Sequence, residues 1–233
     1  GLDRRAGAEA SERLLQAVER TRNQRVVHPS PLPTVPDQPG VAASVFAPLA
    51  FARPLASEVG IEIEALADLA AALGPLAFVD LETTGLQTDP GSEILEFGAV
   101  LVDPGAGHVT TLEGLVRPHA PLPRAVQRLT GLVDADVAAA PRIEELIKPI
   151  MAALEGRVVI AHNAGFDRKF LEPRLPVFAS LPWACSWAEV PWSEVGIESS
   201  KLEYLAYRAG FFYKGHRAEI DCLALLEVLR RPF

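Results

Sequence analysis

Residues 77–86 read AFVDLETTGL, an apolar run that closes on two carboxylates, Asp80 and Glu82. A short apolar run followed by a Thr-Thr-Gly turn signal predicts a buried strand over residues 76–80. If the strand persists through Glu82, both carboxylates share one face, because side chains two apart point the same way. Unless something positive sits between them, they repel each other.

The elements around this strand are readable. Residues 94–102 and 109–116 predict two further strands, joined through the turn-rich DPGAGH at 103–108. Helical patterns follow near 122–130 and 143–154. GRVVIAH at 156–162 predicts a β-branched fourth strand, and AGFDRKFL a helix directly after it. Leu202, Leu205, Ala206 and Ala209 recur at helical spacing behind Ser199 or Ser200 as cap. A last helix covers residues 217–230. A hairpin followed by alternating helices and strands makes an α/β domain with a mixed central sheet flanked by helices.

Residues 1–74 differ in character. Residues 8–25 predict an amphipathic helix carrying Leu14, Leu15 and Val18, and Pro29, Pro31, Pro33, Pro36 and Pro39 make an extended connector behind it. Another helical stretch, roughly 57–73, stops at Gly74-Pro75. The expected organisation is therefore an N-terminal extension with helix and Pro-rich linker, 1–74, and a main domain, 75–233. The extension is a place where a protein partner can bind.

The 233 residues are 49% hydrophobic and 22% charged, which suits one well-buried domain with additional material. Uncharged runs such as 38–52 and 175–188 are too short to span a bilayer and contain prolines. No membrane association and a cytoplasmic location are the expectation. Cys185 and Cys222 form no CxxC pair, so they read as reduced, buried thiols. A net charge of −8 argues against sequence-independent coating of nucleic acid, which needs a basic surface. It leaves room for an enzyme that takes one strand end into a metal-filled cleft.

Two more acids fall where core residues belong. Asp167 shares a helical stripe with Ala164, Phe170 and Leu171, and Asp221 one with Ala218, Leu225 and Val228. An ionised carboxylate on a packed face costs several kcal/mol unless it is paired. Singly, each acid has a structural reading, as a helix N-terminal residue favoured by the dipole or a chance DxE pair. Together, four carboxylates from one strand end and two helices favour a shared site for hard divalent cations such as magnesium or manganese. His216 in GHRAEID sits before the last helix in a Gly-containing loop, where it can take a proton from an attacking water. His162 ends the fourth strand and reads as structural.

FVDLETTGL, HNAGFDRKFL and HRAEID, in that order, resemble the three motifs of the DEDDh family of 3′→5′ exonucleases, which includes the proofreading epsilon subunit of bacterial replicative polymerase. EILEFGAV (93–100) and RLTGL (128–132) are similar to intervening family segments. The resemblance covers about the last two-thirds of the chain. It implies a ribonuclease H-like fold, with Asp80, Glu82, Asp167 and Asp221 holding two divalent metal ions (Mg²⁺ or Mn²⁺) and His216 as general base. It further implies that Thr83 and Thr84 meet the terminal nucleotide, that Leu86 wedges against its base and that Phe166 packs nearby. The expected substrate is the 3′ end of single-stranded nucleic acid, DNA ahead of RNA, and the product is a nucleoside 5′-monophosphate.

Some features fall outside a minimal epsilon-like domain: residues 1–74, and WACSWAEVPW (183–192) with its three tryptophans. Two other classes stay open. One is a catalytically silent nucleic-acid-binding module of the same fold. The other is an aspartyl-phosphate phosphatase using Asp80 of DLETT, disfavoured because Glu82 replaces the aspartate that chemistry expects.

Overall fold

The computed structural model describes residues 53–54, 74–86, 91–103, 109–194 and 196–230. The helices predicted over 8–25 and 57–73, the proline connector and most of the DPGAGH turn lie outside the described residues. Six strands form one sheet in the order β1-β4-β3-β2-β5-β6. They are β1 (Arg53–Pro54), β2 (Leu76–Thr83), β3 (Ile94–Val102), β4 (Val109–Leu115), β5 (Val158–Ala161) and β6 (Trp183–Cys185). The helices are α1 (Arg124–Thr130), α2 (Asp134–Val137), α3 (Ile143–Leu154), α4 (Ala164–Leu171), α5 (Ser186–Glu189), α6 (Leu202–Arg208) and α7 (Ala218–Arg230).

The sheet is mixed, as predicted. β2, β3 and β4 are antiparallel neighbours, whereas β5 runs parallel to β2 and β6 parallel to β5. β2 runs three residues farther than expected and carries both acids within the strand. Arg53 and Pro54, from the N-terminal segment, pair with Thr111 and Thr110 on β4. A proline suits that place because an edge strand leaves one side of its backbone unpaired.

Alternation along β2 sorts the core into two layers. Leu76 and Phe78 pack with Val100, Val158 and Ile160 against α6 and α7. Ala77, Val79 and Leu81 pack with Phe97, Val159 and Ala161 against α3 and α4. A smaller cluster of Leu95, Leu122, Val126, Leu132 and Val137 seats α1 and α2. Asp80 and Glu82 continue the parity of Leu76 and Phe78, so the buried face that begins with leucine ends in carboxylates on the α7 side.

The tryptophan segment is part of this core. Trp183 lies on β6, and its indole N–H donates to the Phe178 carbonyl at 3.0 Å; Trp192 is buried and donates to the Ser186 carbonyl at 2.7 Å. Trp187, between them, is half-exposed. Cys222 is buried as expected, whereas Cys185 is partly exposed. The cap expected at α6 differs too. Lys201 holds the N-cap position with no side-chain cap bond, and Ser199 only accepts from the Lys201 backbone N–H at 3.3 Å.

Candidate active site

α7 reaches the carboxylates on β2 because one strand residue has no side chain. Gly98 on β3 pairs directly with Asp80, and an added Cβ there would lie 2.3 Å from the Ala218 carbonyl carbon and 2.4 Å from the Glu219 nitrogen. The first turn of α7 therefore rests on the β3 backbone, which carries Asp221 to the end of β2. Glu96 secures the same helix end. It is 1% exposed and accepts from Arg217 Nε at 3.1 Å, Arg217 Nη2 at 2.7 Å and the Ala218 N–H at 3.2 Å.

Asp80, Glu82 and Asp221 can each offer an oxygen such that all three lie within 4.8 Å of one another. Asp167 arrives from the opposite layer at the start of α4. It is buried and held by backbone hydrogen bonds from Leu81 and its own N–H. Its Oδ1 is buried without a hydrogen-bond partner among the described residues. Asp167 is outside the tight trio, yet its charge is the strongest of four repulsions acting on Asp80.

Electrostatics identify the site as one short of positive charge. Burial, then Asp167, Asp221, Glu82 and Glu96, push the Asp80 carboxyl well above the usual range. Burial, then Asp221 and Glu96, raise Glu82 to about 8 against the partial relief of Arg217. Burial raises Asp167 to about 7. Asp221 is also raised by burial, although the Tyr213 hydroxyl and the His216 and Arg217 N–H groups donate to it at 2.9, 2.8 and 3.1 Å. Crowded oxygen donors held against their own repulsion, one with an orphaned buried atom, fit hard divalent cations. Asp80, Glu82, Asp167 and Asp221 are the residues that can hold them.

His216 lies on the cleft wall with φ +67, a left-handed backbone unusual for a residue with a side chain. That turn aims its N–H at Asp221, and the half-exposed ring sets Nε2 3.7 Å from Glu203 Oε1. His162 is a structural bridge. Its Nε2 donates to the Ser200 carbonyl at 2.7 Å, so Nδ1 accepts from the Ser186 hydroxyl at 2.9 Å. Burial lowers its pKa, consistent with a neutral ring.

The carboxylates open into a cleft of about 700 Å³ that Thr83, Thr84, Leu86 and Phe166 all line. Thr83 Oγ1 donates to the Gly85 carbonyl at 2.7 Å, and Thr84 Oγ1 accepts from the Glu93 N–H at 2.9 Å, which fixes the turn after β2. Leu86 is 62% exposed, and Phe166 packs its ring 5.1 Å from that of Phe170. Glu203, Tyr213 and Arg217 were not singled out from sequence, although each touches the site. Gly98, the lone glycine within β3, was the available signal for α7's approach.

Comparison with known proteins agrees with this geometry. A family model described as exonuclease, of RNase T type, matches residues 77–229. The epsilon subunit of DNA polymerase III from Treponema pallidum is 29% identical over 156 residues, covering 64% of this chain and 72% of that protein. An epsilon-like protein from Rhodobacter capsulatus is 42% identical over 104 residues, covering 42% of this chain and 14% of its own. A PolC-type DNA polymerase III from Thermotoga maritima is 30% identical over 184 residues, 76% of this chain and 13% of the polymerase. The chain thus spans a small fraction of the last two relatives. Exonuclease X, solved with 5′-overhanging duplex DNA, superposes with TM-score 0.52 at 26% identity over 66% of this chain and 89% of that one. The nuclease domain of 3′hExo, a DEDDh family member, shares the fold with TM-score 0.51 at 17% identity, over 68% and 91%.

Proposed function

The chain belongs to the DEDDh exonucleases and resembles their epsilon subunits, and from that membership we propose that residues 75–233 are a divalent-cation-dependent 3′→5′ exonuclease. It acts on 3′ ends of single-stranded nucleic acid, DNA ahead of RNA, in the cytoplasm. The observation that carries this reading is the convergence of Asp80, Glu82 and Asp221 oxygens within 4.8 Å beside the orphaned Oδ1 of Asp167. The preference for DNA rests on relatives named as parts of DNA polymerase III and on the DNA-bound exonuclease X.

Asp80, Glu82, Asp167 and Asp221 would hold two Mg²⁺ or Mn²⁺ ions, which supply positive charge against the negative charge that builds on the phosphate in the transition state. His216 takes a proton from the attacking water as the water oxygen bonds to phosphorus. The bond from phosphorus to the 3′ oxygen breaks, that oxygen gains a proton from solvent, and a nucleoside 5′-monophosphate leaves. At 44% side-chain exposure, the His216 ring has freedom to turn from Glu203 toward the water. Thr83 and Thr84 present the ordered turn to the terminal nucleotide, Leu86 wedges against its base, and Phe166 packs beside it. Among the described residues no helix is long and apolar enough to cross a membrane.

The test is digestion of 5′-labelled single-stranded DNA and RNA oligonucleotides with Mg²⁺ or Mn²⁺, with Asp80→Ala as control. A ladder shortening from the 3′ end, lost in the variant, is the expected result. Intact strands in both metals with folded protein would replace the enzyme by a silent binding module.

A further inference from the structure

A second contact between α6 and the loop before α7 repeats the one at the cleft. At the cleft wall, Glu203 of α6 faces His216 of the loop. Four residues farther along α6, about 6 Å along its axis and on the same side, Tyr207 meets Phe212, which stands four residues before His216. Their ring centroids are 5.5 Å apart at 81°. The aromatic pair is thus the next rung outward from the catalytic rim. Tyr207 is 58% and Phe212 75% exposed, whereas Phe211 and Tyr213 on either side pack into the core. The loop alternates so as to present Phe212 to water beside the exposed Tyr207 ring, leaving two adjoining aromatic faces open at one place.

Charge indicates the occupant. Residues 204–217, YLAYRAGFFYKGHR, hold five aromatics, Arg208, Lys214 and Arg217, and no Asp or Glu, in a chain of net charge −8. Arg217 is engaged with Glu96, but Arg208 and Lys214 are exposed and pair with no carboxylate among the described residues. Glu203, the one carboxylate on this side of α6 at the cleft rim, lies 3.7 Å from the His216 ring, one helical turn inward from the aromatic pair. Exposed aromatic faces with free cations are the composition that holds single strands, bases on rings and phosphates on cations.

Resting on the exonuclease reading of the cleft, we propose that Tyr207, Phe212, Arg208 and Lys214 form a surface for the single-stranded nucleic acid upstream of the reacting nucleotide. The surface holds the strand while the 3′ end is consumed and makes long substrates better than short ones. It carries no sequence preference, since every base offers a face to stack.

The test uses the full chain and two substrates: the p-nitrophenyl ester of thymidine 5′-monophosphate, which reaches only the cleft, and a 12-nucleotide thymidine strand. Combining Tyr207→Ala with Phe212→Ala is expected to leave the ester kinetics unchanged and to raise KM for the 12-mer at least about 5-fold, the least that one stacked base contributes. Phe212→Trp keeps a stacking face and retains the wild-type KM. Combining Arg208→Gln with Lys214→Gln flattens the slope of log KM against log salt by about 1.4, about 0.7 for each phosphate no longer neutralised. An unchanged 12-mer KM in the double alanine variant overturns the proposal. So does a change in oligomeric mass without a change in that KM, which assigns the pair to a protein contact. If the wild type hydrolyses neither substrate, the exonuclease reading fails separately, and fluorescence anisotropy of a labelled 12-mer decides the surface. Weaker binding in the double variant supports it, and equal binding overturns it.

Discussion

Gly98 and Ala218 are in backbone contact, with no room for even a methyl group between the β3 strand and the first turn of α7. The placement of Asp221 opposite Asp80 follows from that contact. Gly98→Ala is therefore expected to push α7 off the sheet and separate the acids. Overpacking of this kind costs about 1–3 kcal/mol. Urea unfolding should show that loss, together with a fall in exonuclease rate larger than the loss of folded protein accounts for. A variant of full activity would show that α7 does not set the site's geometry.

The metal-free protein should lose stability as pH rises. Glu82 is raised from 4.5 to about 8 and Asp167 from 3.8 to about 7. Between the lower and upper values the folded state binds more protons than the unfolded state, so the stabilisation present at about pH 4 disappears as pH climbs to about 8. In EDTA the unfolding temperature should fall from pH 5 to pH 8, and Glu82→Gln should shallow the decline. Mg²⁺ binds the ionised carboxylates, so its stabilising shift should be larger at pH 8 than at pH 5.5. An unfolding temperature that climbs with pH in EDTA would contradict this account.

His216→Gln should lower kcat by about 10²–10⁴, the usual contribution of a general base. Its backbone N–H bond to Asp221 does not depend on the ring, so Mg²⁺ should still raise the unfolding temperature. Loss of the Mg²⁺ stabilisation would assign His216 to the architecture of the acids rather than to proton transfer.

Arg217→Met should leave the buried Glu96 carboxylate without its bidentate partner. Hydrogen bonds to charged groups contribute about 1.5–3 kcal/mol, and the lower part of that range applies because Arg217 is 40% exposed. Arg217 also relieves Glu82, so the variant's unfolding temperature in EDTA should fall more steeply near pH 7. A double-mutant cycle with Glu96→Gln measures the coupling directly, and a coupling of zero would remove the clamp from the account.

What sequence revealed of this site depended on distance along the chain. Asp80 and Glu82 were legible because strand alternation is a local rule, and Asp167 and Asp221 because each interrupts an apolar helical stripe. Glu96 and Arg217 meet across 121 residues, and no local pattern announces such a pair. β6 was missed for a similar reason. Three residues are too few for a period, and what makes them a strand is parallel pairing with β5. The tryptophans around it looked like a local peculiarity, yet two of them are ordinary core residues whose partners only folding supplies. Glu203 went unnoticed because nothing on its own helix distinguishes it from a solvent-facing acid.

Asp80, Glu82 and Asp221 belong to the layer built on α6 and α7, and Asp167 to the layer built on α3 and α4. Neither half of the molecule owns a complete set of acids. A chain emerging from synthesis, or one frayed on either side of its sheet, therefore carries no working blade. For an exonuclease, this division makes the catalytic set a property of the packed sheet rather than of either layer alone.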